Sequence, residues 1–163
     1  MIHPRWAGIL AILFCTGIAL FFLPSDEKNI EKKLAELGKL CSTPKGEAPF
    51  ETLNKAAGAA SLCTNSCQVT MNSRNIDRVF SQKEISDNIV IMKKRLPETI
   101  FSFHDTVVDI VADGRAEVIT TVKLDGTSVD DRFVDAYEMD IEMKKENGEW
   151  LFSAFKVVEF IEK

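Results

Sequence analysis

The run from Asp131 to Met143 holds the side chains whose types and spacing are best suited to chemistry. Its odd positions are mostly apolar and its even positions are mostly charged, which is the pattern of a strand with one dry face. Asp135 and Tyr137 fall on the dry face and should point toward the core or a pocket. A carboxylate there must be paired, hydrated or kept for chemistry such as proton transfer.

His104 is the next candidate, but its direction cannot be derived from the pattern. Phe101 and Phe103 share one strand parity, whereas Val108 and Ile110 share the other. The change of parity predicts a bulge near position 105 or 106 and leaves the facing of His104 open. The chain contains 2 histidines, and the other lies near the N-terminus. We therefore predict no metal site, and we predict no cofactor.

Cysteines offer a second kind of chemistry. Apart from Cys15 in an apolar run, the chain has Cys41, Cys63 and Cys67. In an oxidising compartment such a trio suggests one disulfide and one free thiol. Cys63 and Cys67 could bridge if a helix ends between them, and Cys41 could pair with either. In a reducing compartment all three would be free, and the lack of a C-x-x-C motif argues against a redox enzyme.

The charge pattern excludes nucleic acid as a partner. The formal net charge is −5 at pH 7, and the lysines alternate with acidic residues instead of forming a basic face.

The elements that must position these residues begin with a series of strands. Between residues 99 and 163, long β-prone runs are separated by Asp113-Gly114, Asp125-Gly126 and Asn147-Gly148. Each dipeptide supplies the positive φ that a tight hairpin needs, so the pattern predicts a four-stranded antiparallel meander. The strand from Arg115 to Leu124 alternates in polarity, which indicates a sheet with one wet face.

Three amphipathic helices are predicted before the meander. The first begins after the N-cap Ser25, the second runs from about Pro49 to Leu62, and the third begins at the capping box Ser81-Gln82-Lys83-Glu84 and stops at Pro97. The residues expected to face inward are Ile30, Leu34, Leu37 and Cys41 in the first helix, Phe50, Leu53, Ala57 and Ala60 in the second, and Ile85, Ile89, Met92 and Leu96 in the third.

This order of elements resembles the nuclear transport factor 2-like superfamily, also called SnoaL-like or cystatin-cone folds. The resemblance covers residues 25–163. Among the members of the superfamily, the chain is most similar to uncharacterised bacterial proteins with an N-terminal membrane segment. The stretches that carry it are the capped helix at Ser81, Asp113-Gly114-Arg115-Ala116-Glu117-Val118, Phe133-Val134-Asp135 and Asn147-Gly148-Glu149-Trp150-Leu151. It implies an α+β cone in which three helices pack on a curved antiparallel sheet. It also implies a pocket, whose expected lining is Phe133, Asp135, Tyr137 and Met139.

The same resemblance gives the dry-face residues an enzymatic interpretation. Ketosteroid isomerases share the fold and set acidic residues and a tyrosine in an apolar cone. Asp135 would then be the acid or base, Tyr137 the hydrogen-bond donor and His104 a second base. In the structural interpretation, which we favour from sequence, Asp135 is satisfied by the backbone or a lysine and Tyr137 is a wall residue. The first helix supports this interpretation because its inner face lacks Tyr, His and Asp.

The N-terminal residues 1–24 form a separate segment. From Trp6 to Leu23 every residue is apolar or small except Thr16, and 18 residues at about 1.5 Å each reach roughly 27 Å, enough to cross a bilayer. A cleaved signal peptide is the alternative, with Gly17-Ile18-Ala19 as the cleavage site. Because the apolar run continues to Leu23, we expect residues 6–23 to remain as a single-pass anchor in the inner membrane.

The side of the membrane is less directly encoded. Lysines after the segment outnumber Arg5 before it, which favours a cytoplasmic domain. Single N-terminal anchors usually export the domain attached to them, however, so we expect residues 25–163 to be periplasmic or extracellular.

Three functions are expected from these features. The first is a non-enzymatic, membrane-anchored envelope domain that binds a small apolar ligand or an envelope protein, with a homodimer formed through the sheet. The second is a SnoaL-type isomerase, cyclase or hydrolase that uses Asp135 and Tyr137. The third is an inner-membrane subunit of a secretion apparatus.

Overall fold

The computed structural model describes residues 25–112, 114–127 and 132–160. Three helices precede the four-stranded meander, as predicted, and the whole sheet has six strands. The helices are α1 (Asp26–Cys41), α2 (Pro49–Ser61) and α3 (Gln82–Arg95), and the strands are β1 (Cys63–Met71), β2 (Ile76–Ser81), β3 (Ile100–Ala112), β4 (Arg115–Thr127), β5 (Arg132–Glu146) and β6 (Glu149–Phe160). A short 3₁₀ helix, Asn72–Arg74, joins β1 to β2.

The predicted helix caps are confirmed. The Ser25 hydroxyl accepts a hydrogen bond from the backbone N–H of Lys28 at the start of α1. At the start of α3, Ser81 and Glu84 form the reciprocal capping box. The membrane segment predicted for residues 6–23 lies outside the described residues. Within those residues, no helix is both long enough and apolar enough to cross a membrane.

The sheet is mixed, which corrects the prediction of an antiparallel sheet. Its strand order is β2-β1-β6-β5-β4-β3, and β3 to β6 form the predicted antiparallel meander. The difference comes from β1 and β2, because β1 pairs in parallel with β6. In this part of the chain the sequence pattern predicts only a short strand, from Gln68 to Met71. It does not predict the longer β1–β2 hairpin or the pairing of β1 with β6.

One of the three predicted hairpin turns is wrong. Asn147 and Gly148 both have positive φ, as a tight turn requires, and Gly114 also has positive φ beside Asp113, which is outside the described residues. Asp125-Gly126, however, lies inside β4, where Gly126 pairs with Phe133. A Cβ at Gly126 would lie 2.9 Å from the Phe133 ring and would also meet the Thr99 hydroxyl. This glycine therefore permits close packing and does not make the turn.

The bulge predicted in β3 is confirmed. The pairing of β3 with β4 shifts register between His104 and Val107, and Asp105 between them has φ of 50°. The extra residue explains why the apolar side chains of β3 change parity along the strand.

The core lies between α1 and the inner face of the sheet. Ile30, Leu34 and Leu37 of α1 are buried as predicted, and they pack in one cluster with residues of β4, β5 and β6. Each such aliphatic side chain contributes about 1.5–3 kcal/mol on full burial. Trp150 and the fully buried Phe152 are the largest side chains of this core.

The inward face predicted for α2 is wrong. Phe50 is 74% exposed and Leu53 is 55% exposed, whereas Ala56 and Ala59 are buried. Of the predicted inward residues, only Ala60 is buried. The helix buries its small residues because it packs closely against its neighbours. The pattern favoured the face with the larger apolar residues, which is the face that this packing leaves outside.

A buried ion pair fastens the three helices at one end. The Lys93 ammonium group of α3 donates to the backbone oxygens of Leu40 and Ser42 at the end of α1. It also lies 3.1 Å from the Glu47 carboxylate, which in turn accepts a 2.7 Å bond from Lys55 of α2. These contacts satisfy the carbonyls that the C-terminus of α1 would otherwise leave unpaired.

Candidate functional site

The inner face of the sheet is filled at one end and open at the other. Along β5, Met143 and Ile141 are each 1% exposed. Farther along the same face, Met139, Tyr137 and Asp135 are only half-buried. The inner-face side chains of β5 are therefore less buried toward the start of the strand.

The neighbouring strands show a weaker change in the same direction. In β4, Val118, Thr120 and Val122 are buried and Leu124 is half-buried, and in β6, Phe152 is buried and Val157 is half-buried. α1 covers the filled end, because its apolar residues belong to the same cluster as the buried strand residues. We call this half-buried region of the inner face the open end, and it includes the four side chains predicted to line a pocket, Phe133, Asp135, Tyr137 and Met139.

Asp135 and Tyr137 share this open inner face. Asp135 pairs with Leu124 of β4 and Tyr137 pairs with Val122, which is buried on the inner face. Burial raises the pKa of the Tyr137 hydroxyl above its ordinary value of 10.0, and the nearby Asp135 charge raises it further. Tyr137 is therefore protonated at neutral pH and can donate a hydrogen bond.

Arg74 is a residue of this region that the sequence did not single out. Met71 at the end of β1 pairs with Val157 of β6, which pairs in turn with Met139 of β5. β1 and β6 run in the same direction, and Arg74 follows Met71 by three residues. The chain therefore carries Arg74 along the sheet from the position of Met139 toward the position of Tyr137. The charge of Arg74 acts to lower the pKa of Tyr137, against the two larger effects.

Phe133 is fixed at the edge of the open end. Its ring packs beside Gly126, its partner in β4, and Thr99 lies next to the same glycine. Thr99 is fully buried. A glycine at position 126 thus lets the Phe133 ring lie against the strand. The Phe133 ring forms one side of the open end.

His104 is not part of this site. It pairs with Thr121 of β4, whose neighbour Val122 faces inward, so His104 lies on the outer face of the sheet. Its side chain is exposed, and its Nε2 atom is 2.9 Å from the Ser102 hydroxyl. The structure therefore separates His104 from Asp135 and Tyr137 by the thickness of the sheet.

The three cysteines lie in or beside the core. Cys63 and Cys67 are buried in the main cluster, and Cys41 packs against it; all three are free thiols in the structure. Burial raises the pKa of the Cys41 thiol to about 11. The predicted disulfide among these residues stays a prediction.

A separate groove of about 610 Å³ lies between α1 and β3. Its lining includes Leu34 and Gly38 of α1, Phe101 and Phe103 of β3, and Lys55 of α2. The sequence did not predict it, although a glycine inside a helix is a signal of close backbone approach. A Cβ at Gly38 would lie 3.0 Å from the Phe101 carbonyl oxygen. The four residues predicted to line a pocket do not line this groove.

No group of three or more metal-binding side chains occurs within the described ranges.

Comparison with solved structures identifies the architecture. A candidate scytalone dehydratase from Novosphingobium aromaticivorans aligns with a TM-score of 0.64 at 13% identity, over 85% of this chain and 87% of that one. The hexachlorocyclohexane dehydrochlorinase LinA-type3 from Novosphingobium barchaimii aligns with a TM-score of 0.65 at 14% identity, over 84% and 89%. A protein of unknown function with a cystatin-like fold from Nostoc punctiforme aligns with a TM-score of 0.63 at 10% identity, over 85% and 94%.

At these identities the likeness concerns the fold alone. No protein-family profile matches the chain. No curated protein matches it either.

Proposed function

We propose that this chain, whose fold is that of the nuclear transport factor 2-like proteins, is an enzyme that moves a proton on a small, largely apolar molecule. The molecule would bind at the open end of the cone, against Phe133 and Met139. The observation that carries the proposal is the position of Asp135 and Tyr137, two residues apart on the same half-buried face, where the charge of Asp135 raises the pKa of Tyr137.

Asp135 is the proposed general base. Its carboxylate removes a proton from a carbon next to a carbonyl group, and the electron pair of the broken C–H bond moves toward the carbonyl oxygen. Tyr137 donates a hydrogen bond to that oxygen as its negative charge develops. Return of the proton at another carbon completes an isomerisation, and loss of a leaving group completes an elimination.

The apolar surroundings make both roles stronger. A hydrogen bond to a developing charge is worth more in a site that excludes water, because the effective dielectric constant is lower. Arg74 adds a positive charge near the same opening, and it favours a molecule with a negative or electron-rich group at its outer end.

The names of two structural neighbours agree with this class of reaction. One is described as a candidate scytalone dehydratase and the other as a hexachlorocyclohexane dehydrochlorinase, and both names denote eliminations, of water and of hydrogen chloride. This support is an analogy between folds, so the proposal depends on the residues of this chain.

Our expectation from sequence was a non-enzymatic envelope module, whereas the structural neighbours named as a dehydratase and a dehydrochlorinase favour the enzymatic alternative. A module that binds a ligand without chemistry would use the same surface, but it would not need the Asp135 carboxylate. The two functions therefore differ in what Asp135→Asn does.

The test uses 2-tetralone, an apolar ketone, as the probe. In D2O, the wild-type protein should speed exchange of its α-protons for deuterium, followed by NMR. Asp135→Asn should lower that rate by at least about 100-fold, the scale of a general base. The matched control is Asp140→Asn on the outer face, which breaks only an exposed ion pair with Lys156 and should leave the rate unchanged.

The pH dependence gives a second measurement in the same assay. Tyr137 must be protonated to donate its hydrogen bond, and its pKa is raised, so the rate should fall on the alkaline side only above the ordinary tyrosine pKa of 10.0. Tyr137→Phe should reduce the rate and abolish the alkaline fall. Exchange that is equal in the wild type and Asp135→Asn would overturn the proposal.

A further inference from the structure

Cys63 and Cys67 lie on either side of an irregularity in β1. Cys63 pairs with Phe152 of β6 and Gln68 pairs with Ala154, so five residues along β1 correspond to two along β6. Three residues are therefore in excess on β1, and the strand bulges between the two cysteines.

The bulge brings the two cysteines together. Cys67 precedes Gln68 and lies close to the level of Ser153, one residue beyond the partner of Cys63. Measured along the sheet, the two residues are therefore about one residue apart, and disulfides join Cα atoms that are roughly 4.4–6.8 Å apart. In a regular strand, residues four apart would be about 13 Å apart and could not be bridged.

The side chains also face the same way. Cys63 is 1% exposed and Cys67 is fully buried, both within the core cluster. The Cys63 thiol donates to the Ala59 carbonyl oxygen and the Cys67 thiol to the Gln68 carbonyl oxygen. The interaction between the two thiols raises the pKa of Cys63 and lowers the pKa of Cys67. Of the three residues between the cysteines, Thr64 is buried, whereas Asn65 and Ser66 are exposed, so part of the bulge reaches solvent.

We propose that Cys63 and Cys67 form a reversible disulfide across this bulge, with Cys41 left as the free thiol. The oxidant is a peroxide such as hydrogen peroxide. This modification site is independent of the proposed enzymatic activity, because neither thiol belongs to the surface around Asp135.

The two thiols have different roles in the reaction. The Cys67 thiolate attacks one peroxide oxygen, the O–O bond breaks, and the leaving hydroxide takes up a proton to become water, which leaves a sulfenic acid on Cys67. The Cys63 sulfur then attacks the Cys67 sulfur and the S–O bond breaks. The departing hydroxide takes the Cys63 proton, so two thiols and one peroxide give one disulfide and two waters.

Peptide mass spectrometry of the full chain tests the proposal. The protein is treated with hydrogen peroxide, unfolded with N-ethylmaleimide present and digested with trypsin, which cleaves after Lys55 and Arg74. We expect the peptide of residues 56–74 to carry no maleimide and to be lighter by two hydrogen atoms, and dithiothreitol should restore alkylation at both cysteines. Cys41, in the peptide of residues 40–45, should stay alkylatable.

Variants separate this pair from the other pairings. Cys41→Ser should form the same cross-link, whereas Cys67→Ser should leave Cys63 alkylatable. If Cys67→Ser does not fold, the wild-type peptides and Cys41→Ser still decide the result. Alkylation of both cysteines after peroxide, or a bond between the peptides of residues 40–45 and 56–74, would overturn the proposal.

Discussion

At the scale of single residues, two half-buried or buried charges have different roles. Asp135 lies on an open apolar face next to Tyr137, where a charge is available to a ligand. Glu47 lies in the interior with its side chain 2% exposed, and it is fully engaged by Lys93, Lys55 and Thr52. The first arrangement is suited to chemistry, whereas the second is suited to holding helices together.

Glu47→Gln should be strongly destabilising at neutral pH. The substitution leaves the Lys93 ammonium group, 1% exposed, without a counter-charge, and breaking a buried pair in this way costs about 3–5 kcal/mol. Urea unfolding of both proteins measures the difference. Glu51→Gln is the matched control, since Glu51 pairs with the same Lys55 but is 52% exposed, and its cost should be at most about 0.5 kcal/mol.

The pH dependence of the same pair has a definite sign. Burial acts to raise the pKa of Glu47, but hydrogen bonds from Lys55, Thr52 and Lys93 outweigh it and lower the pKa below the ordinary value of 4.5. A lowered pKa in the folded state means stability that is present above pH 4.5 and is lost as the pH falls below it. The wild type should therefore lose more stability than Glu47→Gln between pH 5 and the acid range, and equal losses would contradict this account.

At the scale of elements, small residues decide how closely the helices and strands approach. α2 buries Ala56, Ala59 and Ala60 and exposes Phe50 and Leu53. In β4, Gly126 is a paired residue within the strand and not part of a turn. In both places the neighbouring parts of the structure lie too close together for a larger side chain to fit between them.

Gly126→Ala tests this account in the sheet. The new Cβ would meet the Phe133 ring at 2.9 Å and the fully buried Thr99, so one of them must move, at a cost of about 1–3 kcal/mol. Gly58→Ala in α2 is the control. Its Cβ would meet only the flexible Leu40 side chain at 3.3 Å, and alanine favours a helix by roughly 0.5–1 kcal/mol. Thermal unfolding should show opposite shifts, and a Gly126→Ala variant as stable as the wild type would contradict the close packing.

At the scale of the whole molecule, the described fold and the N-terminal segment raise separate questions. The proposed site at Asp135 is formed by the described fold and does not depend on the N-terminal segment. The apolar run of residues 6–23 still predicts a retained anchor, because it continues past the only cleavage site that its small residues offer.

Membrane fractionation of the full chain tests this prediction. Expressed in a bacterial cell, it should stay with the membrane after extraction at alkaline pH, and a variant that begins at Ser25 should be released into the soluble fraction. Intact-mass measurement of the membrane form should include residues 1–24. A mature mass beginning at Leu20 would show cleavage instead and contradict a retained anchor.

The sequence by itself predicted the features that depend on local interactions. The cap of α1, the capping box of α3, the Asn147-Gly148 hairpin and the β3 bulge each depend on a few neighbouring residues, and each is confirmed. The parity of β5 likewise put Asp135 and Tyr137 on the inner face, because side chains alternate along any strand.

Only the tertiary structure decided which of these residues meet. The parallel pairing of β1 with β6 leads Arg74 toward Tyr137, which has no signal in the local pattern, and it contains the register shift between Cys63 and Gln68 on which the proposed disulfide depends. The close approach of backbones turned Gly126 from a predicted turn residue into a packing residue and reversed the face of α2. Such contacts join residues far apart in the chain, and their outcome depends on the shape of the whole core, which periodicity does not encode.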